Sequence, residues 1–144
     1  MAILLLRHAT AGSRSRWKGA DELRPLDKRG RRQAELLAES LAGYRTTRIV
    51  TSPSVRCVQT VEPLAARLEL PVEERDELGE GKESTAVRAL LEELRDETPI
   101  VCTHGDVILD LIGWERVAKK GSTWILQPDG AGFAPAVYLS PPTK

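Results

Sequence analysis

Short apolar runs alternate with stretches of helical period along most of the chain, the pattern of an α/β domain built on a largely parallel sheet. Ile3 to Leu6 predicts the first strand. Asp27 is placed to cap a helix from Lys28 to about Ala42, with Leu36, Leu37 and Leu41 facing inward and Gly43 as its stop. Ile49 to Thr51 predicts a second, short strand. Ser52-Pro53 then opens a helix with proline at the favoured first position and Val58, Val61, Ala65 and Leu68 as its apolar stripe; Pro63 inside it predicts a kink. A loop rich in Glu, Asp and Gly follows. From Ser84 onward Val87, Leu90, Leu91 and Leu94 fall at i, i+3, i+4 and i+7, the cleanest helical period in the sequence. Pro99 ends that connection, Ile100 to Cys102 predicts a strand, and Val107, Ile108, Leu111 and Ile112 predict a helix after it. The remainder changes character: Ser122 to Leu126 and Phe133 to Leu139 read as two strands joined through Pro128-Asp129-Gly130, a turn-rich link that favours a hairpin.

At 144 residues and 41% hydrophobic, the chain can bury one core and is short for two ordinary domains, so a single domain over residues 1–144 is expected. Its 21 basic and 21 acidic residues cancel, which removes bulk attraction for a polyanion; neither nucleic acid nor membrane is an expected partner. The distribution is less even. Between Arg14 and Arg32 eight basic residues face three acidic ones, an excess of five that suits a phosphate-bearing substrate as well as a solvated helix face. Cys57 and Cys102 lack the density of a disulfide scaffold. The amino terminus shows no basic leader and too short an apolar run for export, so a reducing cytoplasm is the expected setting.

Three strand-to-helix junctions carry the unusual residues: Leu6-Arg7-His8-Ala9-Thr10, Thr51-Ser52-Pro53-Ser54-Val55-Arg56 and Cys102-Thr103-His104-Gly105-Asp106. Ligands of parallel α/β sheets bind beyond the carboxyl ends of the strands, so these junctions can meet at one site. The chain has 2 histidines, and both lie at such ends. Two guanidiniums, Arg7 and Arg56, with two imidazoles, His8 and His104, suit a tetrahedral dianion, because arginine offers a rigid fork of donors to paired phosphate oxygens. Helix amino termini after Ser52 and Gly105 would add unpaired N–H groups. Nearby cations disfavour protonation of an imidazole and keep it nucleophilic; Arg7 adjoins His8, which makes His8 the better candidate.

These elements resemble the signatures of the histidine phosphatase superfamily: Arg7-His8-Ala9-Thr10 after an apolar strand, Ser52-Pro53-Ser54-Val55-Arg56 followed by Gln59-Thr60, and Thr103-His104-Gly105. Arg24-Pro25-Leu26 and Gly30 extend the match, and the short length resembles the small SixA-like phosphohistidine phosphatases. Ala9 to Arg14, Arg24 to Gly30, Cys57 with Gln59-Thr60, and Lys120-Gly121-Ser122-Thr123-Trp124 are similar to the phosphatase domain fused behind some bacterial MutT-type Nudix hydrolases. The resemblance implies a three-layer α/β/α sandwich of the phosphoglycerate mutase-like kind, transient phosphorylation of His8, phosphoryl binding by Arg7, Arg56 and His104, and no required metal or cofactor. No Arg-Glu-x-x-Glu-Glu core of a Nudix partner is present, so a freestanding phosphatase is expected if these 144 residues are the whole product, with a Nudix partner in trans left open. The fused relatives act on nucleoside diphosphates, including oxidised guanine nucleotides; a phosphohistidine protein, a nucleotide or another small phosphate compound is the implied partner.

Many members of that superfamily place a catalytic acid in a Leu-x-Glu setting. Leu78-Gly79-Glu80 fits it, making Glu80 the candidate general acid and Glu77 its neighbouring alternative. Thr10, Arg14, Arg16, Trp17 and Lys18 are candidate substrate contacts, Trp17 either stacking on a base or anchoring its loop. A two-His, one-carboxylate metal hydrolase of His8, His104 and Asp106 is the rival enzyme, and Arg7 and Arg56 would sit awkwardly beside its cation. A phosphate-binding module without turnover would have no need of His8. Neither cysteine has an arginine six positions later, and no G-x-x-x-x-G-K-[ST] element occurs, which removes cysteine phosphatases and P-loop enzymes.

Overall fold

The computed structural model describes residues 1–143. Strands β1 (Ile3–Arg7), β2 (Arg48–Thr51), β3 (Val72–Glu74), β4 (Pro99–Thr103), β5 (Thr123–Asp129) and β6 (Gly132–Leu139) form one sheet. Helices α1 (Lys28–Leu41), α2 (Val55–Leu68), α3 (Ser84–Glu93) and α4 (Gly105–Ile112) lie on its two faces. The order is β3-β2-β4-β1-β5-β6. β1 to β4 run parallel, and β5 and β6 add an antiparallel edge.

The layers follow from the two-residue period of a strand. Leu4, Leu6, Ile49, Ile100 and Cys102 point to one face and pack against Leu37 and Leu41 of α1 and Val61 and Leu64 of α2. Ile3, Leu5, Val50 and Val101 point to the other and meet Val87, Leu90 and Leu91 of α3 and Val107 and Ile108 of α4. Because both faces are covered, β1 is apolar at every position from Ile3 to Leu6 instead of alternating. The result is the three-layer α/β/α sandwich. No helix of the described residues is long and apolar enough to cross a membrane.

Several local expectations change. α2 begins at Val55 with Ser54 in the capping position, so Pro53 lies outside it. Ser52 to Ser54 form a turn instead, in which the Ser52 hydroxyl accepts the Ser54 N–H at 3.3 Å. Pro63 lies inside α2 as expected, and the helix continues to Leu68, with Val61, Leu64 and Ala65 packed on both sides of the proline. Gly43 does not stop α1; the chain tightens into a 3-10 turn, Ala42–Tyr44, and Arg45 makes the reversal in the left-handed region at φ 55°. The acidic loop contains β3, whose Val72-Glu73-Glu74 is neither alternating nor strongly apolar because it is a half-exposed edge strand. Asp27 caps α1 as expected, accepting the Gly30 N–H at 2.7 Å.

Register decides where the chemistry lies. Leu6 and Thr51 both pair with Cys102, on opposite sides of β4, so the residues that follow each strand leave the sheet at the same level. His8 N–H continues the ladder to the Thr103 carbonyl and Ser52 N–H to the Cys102 carbonyl.

Candidate active site

His8 leaves β1 into a buried position, 5% exposed. Its Nδ1 lies 2.8 Å from the carbonyl oxygen of Ala9, which can only accept. Nδ1 therefore carries the proton and Nε2 keeps its lone pair. The Ala9 backbone is itself held, its N–H donating to the Thr60 hydroxyl at 3.0 Å, and Thr60 donates to the Arg56 carbonyl. Burial drives the His8 pKa down from 6.5, the positive surroundings of His104, Arg56 and Arg7 add to that, and the Ala9 bond opposes it; the outcome is about 3. The imidazole is neutral across the physiological range, as a nucleophile must be.

His104 stands at the amino end of α4 with its ring centroid 5.4 Å from that of His8, edge to face. Arg56 Nη2 lies 3.5 Å from His104 Nδ1, and His104 Nε2 lies 2.9 Å from the Ser52 hydroxyl. Arg56 rises from the first turn of α2 and is 1% exposed. Arg7 lies across the start of α4, its Nη1 donating to the Ala118 carbonyl at 2.7 Å. Gly105 makes that approach possible: a Cβ there would fall 2.8 Å from Arg7 Cζ. Burial lowers the Arg7 pKa, with Asp106 and Glu80 opposing. The Nε atoms of Arg7 and Arg56 are buried without a partner, so both guanidiniums retain unused donors.

Two carboxylates organise these cations. Asp21, in the 3-10 turn Asp21–Leu23, accepts from Arg24 Nε and Arg56 Nη2, both at 3.1 Å, lies 3.4 Å from Arg14 Nε, and offers its backbone oxygen to Arg56 Nη1 at 2.9 Å. Burial pushes the Asp21 pKa up, but the Arg24 hydrogen bond and the charges of Arg56 and Arg14 prevail and hold it below its usual value. Glu80 accepts from Arg14 Nη2 at both oxygens, 3.1 and 3.0 Å, and lies 3.6 Å from Arg56. Its loop is tied down by the Gly81 N–H, which donates to Asp106 Oδ2 at 2.9 Å.

Arg7, His8, Arg14, Arg24, Glu80, Asp106 and Lys120 line one cavity of about 270 Å³. A second, of about 470 Å³, opens on the far side of Glu80 between Asp21, Ser54, Arg56 and Lys82. Glu77 faces neither; it pairs with Arg75 at 2.6 Å. Thr10 turns its hydroxyl to Gln33 Oε1 at 2.9 Å. Arg16 and Trp17 line a separate surface hollow, where Trp17 Nε1 donates to the Ala20 carbonyl at 2.9 Å, and the exposed Lys18 lines none of these cavities. Among the described residues no group of three His, Cys, Asp or Glu is close enough to hold a metal ion, so His8, His104 and Asp106 do not converge as ligands. Sequence reasoning missed Asp21, Ser52, Arg24 and Lys120 as members of the site. Ser52, Arg24 and Lys120 belong to matched motifs, whereas Asp21 carried no local signal.

A family model for the histidine phosphatase superfamily (branch 1) matches residues 3–85. The chain is 43% identical over 157 aligned positions to the 8-oxo-(d)GTP phosphatase of Mycolicibacterium smegmatis, a match covering 99% of this chain and 49% of that protein. It thus spans about half the length of that relative. The protein histidine phosphatase SixA complexed with tungstate superposes with a TM-score of 0.83 at 24% identity, covering 98% of this chain and 97% of the other. A mycobacterial glucosyl-3-phosphoglycerate phosphatase complexed with VO3 superposes with a TM-score of 0.76 at 16% identity over 94% and 96% of the two chains. At those identities the two structures speak for the fold.

Proposed function

The chain belongs to the histidine phosphatase superfamily, and we propose that it hydrolyses phosphate compounds through a phosphohistidine formed on His8. The observation that carries this reading is the Nδ1–H bond of His8 to the Ala9 carbonyl, which leaves Nε2 unprotonated on a residue that shares a cationic cavity with Arg7 and Arg14. Nε2 attacks phosphorus, the bond to the leaving group breaks with its electron pair, and water later attacks the phosphohistidine to release inorganic phosphate. Arg7, Arg56 and His104 hold the phosphoryl oxygens, and their positive groups offset the charge that builds in the transition state. Two relatives of this fold are complexed with tungstate and VO3, phosphate-like oxyanions, in keeping with a phosphate-directed reading.

Glu80 transfers protons. As a carboxyl it gives its proton to a poor leaving group when the bond to phosphorus breaks, and the resulting carboxylate, the form that accepts from Arg14 at both oxygens, then takes a proton from the water that attacks the phosphohistidine, restoring the acid. Good leaving groups, such as an imidazole or a phosphate, depart without it. The substrate is a phosphorylated protein histidine or a nucleotide, and the 8-oxo-(d)GTP phosphatase relative favours the nucleotide. Rapid quenching with labelled substrate should trap an acid-labile, base-stable adduct that His8→Ala abolishes together with turnover. Parental activity in His8→Ala would end this mechanism.

A further inference from the structure

The segment Ala118 to Ser122 is fastened to the end of β1 by its own backbone. Gly121 N–H donates to the carbonyls of both Arg7 (3.1 Å) and His8 (3.0 Å), Arg7 N–H donates to the Ser122 carbonyl at 3.0 Å, and Ser122 N–H closes a turn on the Lys119 carbonyl at 2.9 Å. Gly121 sits at φ +83°, which strains any other residue, so the turn and its glycine are a matched pair. The residue presented by this turn is Lys120, and its side chain lines the cavity of His8 and Arg7.

The other cations of the site have partners. Arg14 is paired with Glu80 and Asp21, Arg24 with Asp21 and the Gly12 carbonyl, and Arg56 with Asp21. Lys120 has neither an ion pair nor a side-chain hydrogen bond among the described residues. The cavity lining holds four cationic groups, Arg7, Arg14, Arg24 and Lys120, against two acids, Glu80 and Asp106. In the proposed mechanism Arg7, Arg56 and His104 take the transferred phosphoryl group, which leaves Lys120 available to whatever is attached to it.

We propose that Lys120 binds the phosphate next to the transferred one, and so makes this site selective for phosphoanhydrides, nucleoside diphosphates in particular, over simple phosphate esters. The inference rests on the reading of His8 as phosphoryl acceptor. As the His8 Nε2–P bond forms, the bridging P–O bond breaks and its electron pair passes to the leaving phosphate, whose added charge the ammonium neutralises. No proton is required at that oxygen, in keeping with a Glu80 that is engaged with Arg14 at both oxygens. Water then takes the phosphoryl group from His8, giving a nucleoside monophosphate and inorganic phosphate. Burial, followed by the neighbouring charges of Arg7 and Arg24, lowers the pKa of Lys120, as expected of an ammonium that awaits an anion.

The test compares Lys120→Gln, Lys120→Arg and the parent on GDP, inorganic pyrophosphate and p-nitrophenyl phosphate, with kcat and KM measured separately. Lys120→Gln should lose about 10- to 100-fold in kcat/KM on the two anhydrides, the worth of a charge-assisted hydrogen bond. Its loss on the aryl ester should be at least about tenfold smaller, and Lys120→Arg should recover most of the anhydride activity. Equal losses on all three substrates, no loss on any, or a parent that cleaves the aryl ester but neither anhydride would each overturn the proposal. The underlying reading fails separately, through persistence of p-nitrophenyl phosphate hydrolysis in His8→Ala.

Discussion

Gly105→Ala should separate activity from stability, because the atoms it disturbs belong to Arg7, which the proposed mechanism sets on the phosphoryl group. A Cβ at position 105 would stand 2.8 Å from Arg7 Cζ and 3.0 Å from Nε and Nη1, where ordinary contact begins at 3.4 Å. The guanidinium must therefore retreat by 3.4 − 2.8 = 0.6 Å at Cζ and 3.4 − 3.0 = 0.4 Å at the nitrogens. A flexible side chain can do so cheaply, losing the Ala118 bond, about 0.5–1.5 kcal/mol. Alanine returns up to about 1 kcal/mol of helix propensity, so the net change in stability is within about 1 kcal/mol, a Tm shift of about 4 °C or less. The phosphoryl group, however, loses a positioned donor, and turnover should fall by about 10²–10³-fold. Gly30→Ala is the contrast: its Cβ would fall 1.8 Å from the Thr10 carbonyl oxygen and 2.8 Å from the carbon, backbone atoms that cannot swing aside. That variant should lose about 3 kcal/mol. Aryl phosphate kinetics alongside thermal unfolding decide the matter. Parental turnover in Gly105→Ala, or a loss of stability equal to that of Gly30→Ala, would refute the placement of Arg7.

The depressed pKa of His8 has a consequence for folding. Below 6.5 the unfolded chain binds a proton that the folded chain refuses until about 3, so stability should fall with falling pH across that window. Between pH 6.5 and 5 the parent should lose about 2 kcal/mol more than His8→Gln in urea unfolding, and identical slopes would contradict the buried neutral imidazole. Ser52→Ala removes the hydroxyl 2.9 Å from His104 Nε2; a drop of about tenfold in kcat/KM is expected from a misoriented imidazole, and unaltered kinetics would show that Ser52 does not position it. With a substrate whose leaving group needs no proton, Glu80→Gln should accumulate phosphoenzyme, its hydrolysis slowed by about 10²–10⁴-fold. Absence of accumulation in quenched samples would assign the base elsewhere.

Hydrophobic period and junction chemistry were enough to locate β1, β2, β4, the interior of all four helices, the Asp27 cap, and His8, His104, Arg7 and Arg56. Those features are local: a strand covered on both faces must be apolar throughout, as Ile3 to Leu6 are, and a residue just beyond such a strand is at the ligand end of a parallel sheet. What folding alone settled was partnership. Val72 to Glu74 becomes a strand because β2 offers it an edge, a contact its own residues do not announce. Asp21 has the same local character as Asp27, yet one caps a helix and the other gathers Arg14, Arg24 and Arg56. With 21 basic and 21 acidic side chains in the chain, charge alone leaves the pairing of any one open; distances set by the sheet order choose among them. Lys120 is the extreme case, since a lysine carries no periodicity, and the backbone bonds of Gly121 to Arg7 and His8 are what bring it beside His8.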